Sequence, residues 1–192
     1  MTKTRLEAFS DGVIAILITI MVLELKIPHG DGWEALASRT PVFLTYVLSY
    51  AYLGIYWNNH HHMLQAVDHI NGKILWANLY LLFWLSLIPF ATGWMGENKA
   101  PPLPTSAYGF VLLMAAIAYR ALQGLLVAHH GPDSKLKAAI GSDFKGKLSI
   151  VCYAVAVALS FASQLAAIGI YIFVALLWIV PDRRIESTMS GT

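Results

Sequence analysis

Charge is the scarcest thing in this sequence. Lys, Arg, Asp and Glu make up 12% of its 192 residues, against 57% that are hydrophobic, and the mean hydropathy is +0.60. A soluble domain carries about 25% charged residues. The chain therefore has too little polar surface to face water on all sides, which excludes an ordinary soluble domain and points to an integral membrane protein in contact with a lipid bilayer. The formal net charge is only +2, which makes no case for a nucleic-acid partner. A single cysteine, Cys152, excludes an intrachain disulfide and leaves the redox compartment unread. The sequence has no H-E-x-x-H, no cysteine pair, no nucleophile elbow, no phosphate loop and no nucleotide fingerprint. Each is the local signature of a chemistry, so neither an enzyme nor a cofactor is expected.

What is present is a series of long apolar runs. A spanning helix needs about 20 apolar residues. Ile74 to Met95 supplies 22, Val42 to Trp57 supplies 16, and Ala107 to Ala128 is broken mainly by Arg120 and Gln123. Leu148 to Val180 runs 33 residues without a charge. As one helix that run would be about 50 Å long, well beyond a hydrocarbon core of roughly 30 Å. It is expected to fold as two helices that break between Ser160 and Gly169. The first apolar run, Gly12 to Leu25, is only 14 residues, a length that suits a helix wrapped by other helices. Its acidic flank, with Glu7 and Asp11, is unlike a signal peptide, so it is read as part of the mature protein. The expected fold is an all-α integral membrane protein with six transmembrane helices. Residues 1–184 would form one domain, and 185–192 a short, disordered cytoplasmic tail.

The cations fit that count. Six spans put Lys3, Arg5, Lys73, Lys135, Lys137, Lys145, Lys147, Arg183 and Arg184 on one side, nine in all, and Lys26, Arg39 and Lys99 on the other. The richer side is the cytoplasmic one, which places both termini in the cytoplasm. Five spans would give seven against five.

The first helix holds the most informative pattern. With Ile16 set at zero on a helical wheel, Gly12 falls at about 320°, Thr19 at about 300°, Leu23 at about 340°, Phe9 at about 20° and Arg5 at about 340°. These residues form one row along the helix, while Asp11 lies off it at about 220°. Spacing alone leaves two readings of the row, packing or pore lining, and Thr19 can also bond its own backbone. Asp11 at the membrane boundary needs partners or water, because an unpaired buried charge is costly. Glu24 and Lys26 oppose each other at the far end of the helix.

Histidines cluster in NNHHHMLQAVDH, Asn58 to His69, with His129 and His130 at the same depth. Adjacent histidines diverge by about 100° on a helix, so His60 and His61 do not readily face one metal, and interfacial anchoring or hydrogen bonding to Ser10 or Asp11 is the better use. Two further classes stay open on the residues: a secondary transporter using Asp11, Arg120 and the histidines, and a membrane enzyme with a His-bound metal. The absence of an internal repeat and of clearly broken helices counts against a transporter.

R-x-x-x-F-S-D at Arg5, Phe9, Ser10 and Asp11 resembles the signature of the transmembrane protein 175 family. LELKIP after helix 1, W-x-x-H-H at Trp57, His60 and His61, and WANLYLLFWLSLIPF around Asn78 to Phe90 are similar to that family too. The likeness covers helices 1 to 3, and the rest matches only in span count. It implies a potassium channel of the prokaryotic kind: a homotetramer in the plasma membrane, with K+ as the permeant ion, no bound metal, and helix 1 lining the central pore. The family's constrictions fall five, eight and twelve residues after the motif aspartate, at Ile16, Thr19 and Leu23 here, with Gly12 on the same face. By the same resemblance Arg5, Phe9, Ser10 and Asp11 knit helix 1 to its neighbours, a role extended here to Trp57, His60 and His61. The sequence has no T-V-G-Y-G, so selectivity would arise at a ring of side chains rather than at stacked backbone carbonyls.

Overall fold

The computed structural model describes residues 2–131, 133–141 and 143–179. Among them are nine α-helices, one 3-10 turn and no strand. Helix α1 (Lys3–Ile20) tightens into the 3-10 turn (Met21–Glu24). A short α2 (Trp33–Ala37) precedes α3 (Thr40–Gln65). Then follow α4 (Gly72–Ser86), α5 (Ile88–Glu97), α6 (Pro102–His130), the short α7 (Lys135–Ile140), α8 (Phe144–Leu159) and α9 (Gln164–Ile179). Helix α6 is central and packs on α4, α5, α8 and α9, while α3 packs on α5, α9 and α1.

Side-chain ties show which helix ends lie together. Lys3 Nζ donates to the Gln65 carbonyl at 3.4 Å, joining the start of α1 to the end of α3. His130 Nε2 accepts the amides of Asp68 and His69 at 3.3 and 3.4 Å, joining the end of α6 to the α3–α4 turn. Its Nδ1 donates to the Leu126 carbonyl, which fixes the tautomer. At the opposite end Lys26 pairs with Glu97.

Among the described residues, three helical segments are long and apolar enough to cross a membrane: Lys3–Glu24, Gly72–Glu97 and Pro102–His130, with Gln164–Ile179 a shorter apolar helix. The structure departs from the expected spans in three respects. The first helix begins at Lys3, so the R-x-x-x-F-S-D residues lie inside it and its length reaches 22 residues. It is also not wrapped: within the chain it packs on α3 and α4 along one side only. The third span is two helices, not one. Pro89 in the first turn of α5 has no N–H, and Ser86 Oγ bonds back to the Phe83 carbonyl at 2.7 Å, so the backbone ladder breaks at Leu87.

Between α8 and α9 the chain turns at Ser160–Ser163, inside the expected window and without a proline. Ser160 Oγ bonds the Val157 carbonyl at 2.7 Å, and Ser163 Oγ accepts the Ala166 amide, which closes one helix and opens the next. Arg183, Arg184 and the expected tail at 185–192 lie outside the described residues.

The interior is held by hydroxyls as well as by apolar packing. Thr92 Oγ1, Ser49 Oγ and the Tyr108 hydroxyl form a buried chain at 2.6 and 2.9 Å. The Tyr52 hydroxyl donates to the Tyr171 carbonyl at 2.6 Å, and the Tyr171 hydroxyl to the Thr105 carbonyl at 3.0 Å. Gly109 makes room for that tyrosine: a Cβ there would meet the Tyr171 hydroxyl at 2.0 Å. Gly109→Ala should therefore lower the thermal midpoint in detergent, by an overpacking cost of about 1–3 kcal/mol. Gly124→Ala, at a position with open space around it, should leave the midpoint unchanged or raise it. Equal midpoints for the two variants would refute this account of the α6–α9 contact.

Candidate pore helix and its anchor

Helix α1 has two faces. Leu6, Ser10, Ile14, Leu17 and Met21 are buried against α3 and α4. Arg5, Phe9, Gly12, Ile16, Thr19 and Leu23 are exposed, Ile16 at 56% and Leu23 at 75%. The row picked out on the helical wheel is thus the open face of the helix. The last turn is 3-10, with about 120° per residue, yet Leu23 remains outside. The Thr19 hydroxyl donates to the Ile16 carbonyl at 2.9 Å. Its proton is spent on the backbone, and its oxygen lone pairs stay free.

The rotation of α1 is fixed by polar groups on the buried side. Ser10 is fully buried, and its hydroxyl donates to the Leu6 carbonyl at 2.9 Å. Its oxygen accepts Asn78 Nδ2 from α4 at 2.9 Å. The Asn78 carbonyl oxygen in turn meets His60 Nε2 from α3 at 2.7 Å. Since Oδ1 only accepts, His60 donates from Nε2. Three helices are thereby joined through three buried side chains. At the next residue of α1, the Trp57 indole donates to Asp11 Oδ1 at 3.0 Å. His61 stacks on Trp57, with ring centroids 6.0 Å apart and 17° between planes, and bonds Gln65 at 2.7 Å.

The expected motif residues therefore divide. Ser10, Asp11, Trp57, His60 and His61 come together at one end of α1. Arg5 and Phe9 do not join them, since both stand on the open face. Glu24 turns away from that face and lies against Gly93 of α5. Asp11 and Arg120 are not brought together: Arg120 pairs with Asp143 at the start of α8. No group of three metal-ligating side chains occurs among the described residues. The sequence signal for the part Asn78 plays is that it is the only amide between Ile74 and Met95, and a lone amide in an apolar span needs a partner.

Comparison with known proteins finds the following likenesses. The family model described as "Endosomal/lysosomal potassium channel TMEM175" matches residues 5–89, which hold the whole Ser10–Asn78–His60 chain. A protein of Chryseobacterium sp. (strain P1-3) named as a potassium channel is 54% identical over 189 residues, covering 98% of this chain and 98% of its own. The Homo sapiens endosomal/lysosomal proton channel TMEM175 is 31% identical over 103 residues, 47% of this chain and 20% of that protein. The crystal structure of a lysosomal potassium-selective channel TMEM175 homolog from Chamaesiphon minutus superposes with a TM-score of 0.80 at 30% identity, covering 93% of this chain and 96% of that one.

Removing Asn78 should cost more than removing Asp11. Asn78→Ala strands the buried His60 donor, a penalty of about 1–3 kcal/mol, whereas Asp11→Ala leaves a Trp57 indole that water can reach. Thermal unfolding of both variants in the same detergent checks this order. An Asp11→Ala loss equal to or larger than that of Asn78→Ala would contradict it.

Proposed function

The chain belongs to the TMEM175 family, and on that premise we propose that it is a potassium channel whose pore is lined by α1 from four copies of the chain. The observation that carries this reading is the open face of α1. Phe9, Gly12, Ile16, Thr19 and Leu23 run along one side of a helix whose other side is anchored by buried hydrogen bonds. A face left open along the whole helix, and aligned by buried polar groups, suits a wall that several copies build together.

The pore so formed explains selectivity without a carbonyl filter. Rings of Ile16 and Leu23 are apolar constrictions that can gate by dewetting. Between them a ring of Thr19 oxygens presents lone pairs to the axis, because the hydroxyl protons are held by the Ile16 carbonyls. Such a ring coordinates weakly, which favours K+, the ion that sheds its hydration water more readily. Ser10, Asp11, Trp57, His60 and His61 keep the helix in register, and Arg5 and Phe9 on the open face are placed to meet a neighbouring copy. No cofactor takes part. The six-span topology, with both termini in the cytoplasm and residues 1–184 as one transmembrane domain in the plasma membrane, puts the Lys3 end of α1 inside. The carrier reading loses ground because its ionisable groups are separately engaged: Asp11 by Trp57, Arg120 by Asp143 and His60 by Asn78.

Current across a planar bilayer with K+ on one side and Na+ on the other tests the reading. The reversal potential should lie toward that of K+, and Thr19→Val should move it toward zero while the assembly survives. An unchanged reversal potential would remove Thr19 from selectivity, and an absence of current from folded, assembled protein under any applied voltage would sink the channel.

A further inference from the structure

A groove of about 780 Å³ runs between α3, α5 and α9 on the outside of the helix bundle. Its walls are apolar, with Leu44, Leu48, Ile172 and Leu176 among them. Along α9 it extends from Leu165 to Ile179, a rise of about 21 Å in a helix. One leaflet of a bilayer contributes about half of a 30 Å hydrocarbon core. The groove is thus long enough to take a single acyl chain along its full length.

Its mouth is polar and cationic. Lys99 and Thr40 form part of the wall there. Lys99 and Ala100 both have left-handed backbones, with φ of 58° and 53°, a conformation that costs energy for residues with a Cβ. That turn places Lys99 in the groove wall. The neighbouring acid, Glu97, is engaged by Lys26. The exposed Trp33 of α2 lies at this end of the molecule, where tryptophan anchors a protein at the level of lipid headgroups. No wall of the groove comes from α1, so closing a ring of copies around α1 does not by itself cover it.

We propose that this groove is a binding site for an anionic phospholipid, with one acyl chain laid between α3 and α9 and the phosphate held by Lys99 at the mouth. The inference rests on the membrane topology proposed above, in which the mouth faces the outer leaflet. A cation at one end of an apolar trough matches an amphiphile with an anionic head, and a neutral lipid would forgo half of that match. The bound lipid would brace α5 and α9 against α3, the helix that anchors the pore helix through His60.

Native mass spectrometry of delipidated protein, titrated with phosphatidylglycerol and separately with phosphatidylcholine, tests the site. One phosphatidylglycerol per subunit should bind at least fivefold more tightly than phosphatidylcholine. Lys99→Glu should abolish that preference, and Ile172→Trp, which fills the groove, should weaken both lipids. Thermal midpoints near that of the parent protein show that each variant is folded. Equal affinity for the two lipids, or a preference that survives Lys99→Glu, overturns the proposal. So does rapid disulfide formation between subunits by cysteines placed at Leu44 and Leu176 in a Cys152→Ser background, because a second copy would then occupy the groove. Lipid binding is read without any current, so loss of K+ conduction with intact lipid adducts would count against the channel alone.

Discussion

A helix packed along one side only is free to roll unless something buried stops it, and here the stop is the chain of hydrogen bonds from Ser10 through Asn78 to His60. Each of the three side chains is at most 1% exposed, and each belongs to a different helix. Rolling α1 by one residue would pull Ser10 away from Asn78 and leave a buried donor and acceptor unpaired, at a cost of about 1–3 kcal/mol for each group. That constraint decides which residues face outward. Phe9, Gly12, Ile16, Thr19 and Leu23 are on the open face because Ser10, Ile14 and Leu17 cannot leave the buried one.

The same economy of contacts recurs across the bundle. Lipid tails are as apolar as leucine, so apolar side chains alone do little to choose one helix partner over another. The specific contacts are small residues and hydroxyls instead. Gly96 admits α3 so closely that an added Cβ would meet Thr45 Oγ1 at 2.5 Å. Thr92, Ser49 and Tyr108 tie α5, α3 and α6 together, and Trp178 donates to Ser149 at 2.8 Å to join α9 to α8. The rotation of α1 is thus referred to α3, which Gly96 and the hydroxyl chain tie to α5 and α6, and to α4, which packs on α6.

The sequence disclosed that Gly12, Ile16, Thr19 and Leu23 share one side of α1, because a period of 3.6 residues relates them whatever surrounds them. It also disclosed that Ser10, Asp11 and the histidines need polar partners, since burying such groups unpaired is costly. It did not disclose which partners. Asn78 and His60 are 18 residues apart and meet only once α3 and α4 are packed. The one-sided packing of α1 was hidden for a related reason: a helix that is apolar all round reads alike whether it faces lipid, a pore or another helix. The break at Leu87 follows from Pro89, which stands in plain sight but is often tolerated within membrane helices. The lateral groove has no signature along the chain, because its walls come from three helices remote in sequence.

The most direct test of the central claim is the accessibility of α1 during conduction. Single cysteines at Ile14, Ile16, Leu17, Thr19 and Leu23, in a Cys152→Ser background, would be exposed to a charged, water-borne thiol reagent while K+ current is recorded. The account predicts block at Ile16, Thr19 and Leu23 and none at Ile14 or Leu17. Block at Ile14 or Leu17, or full current after complete labelling of Ile16 and Thr19, would mean that the open face of α1 does not line the path of the ion.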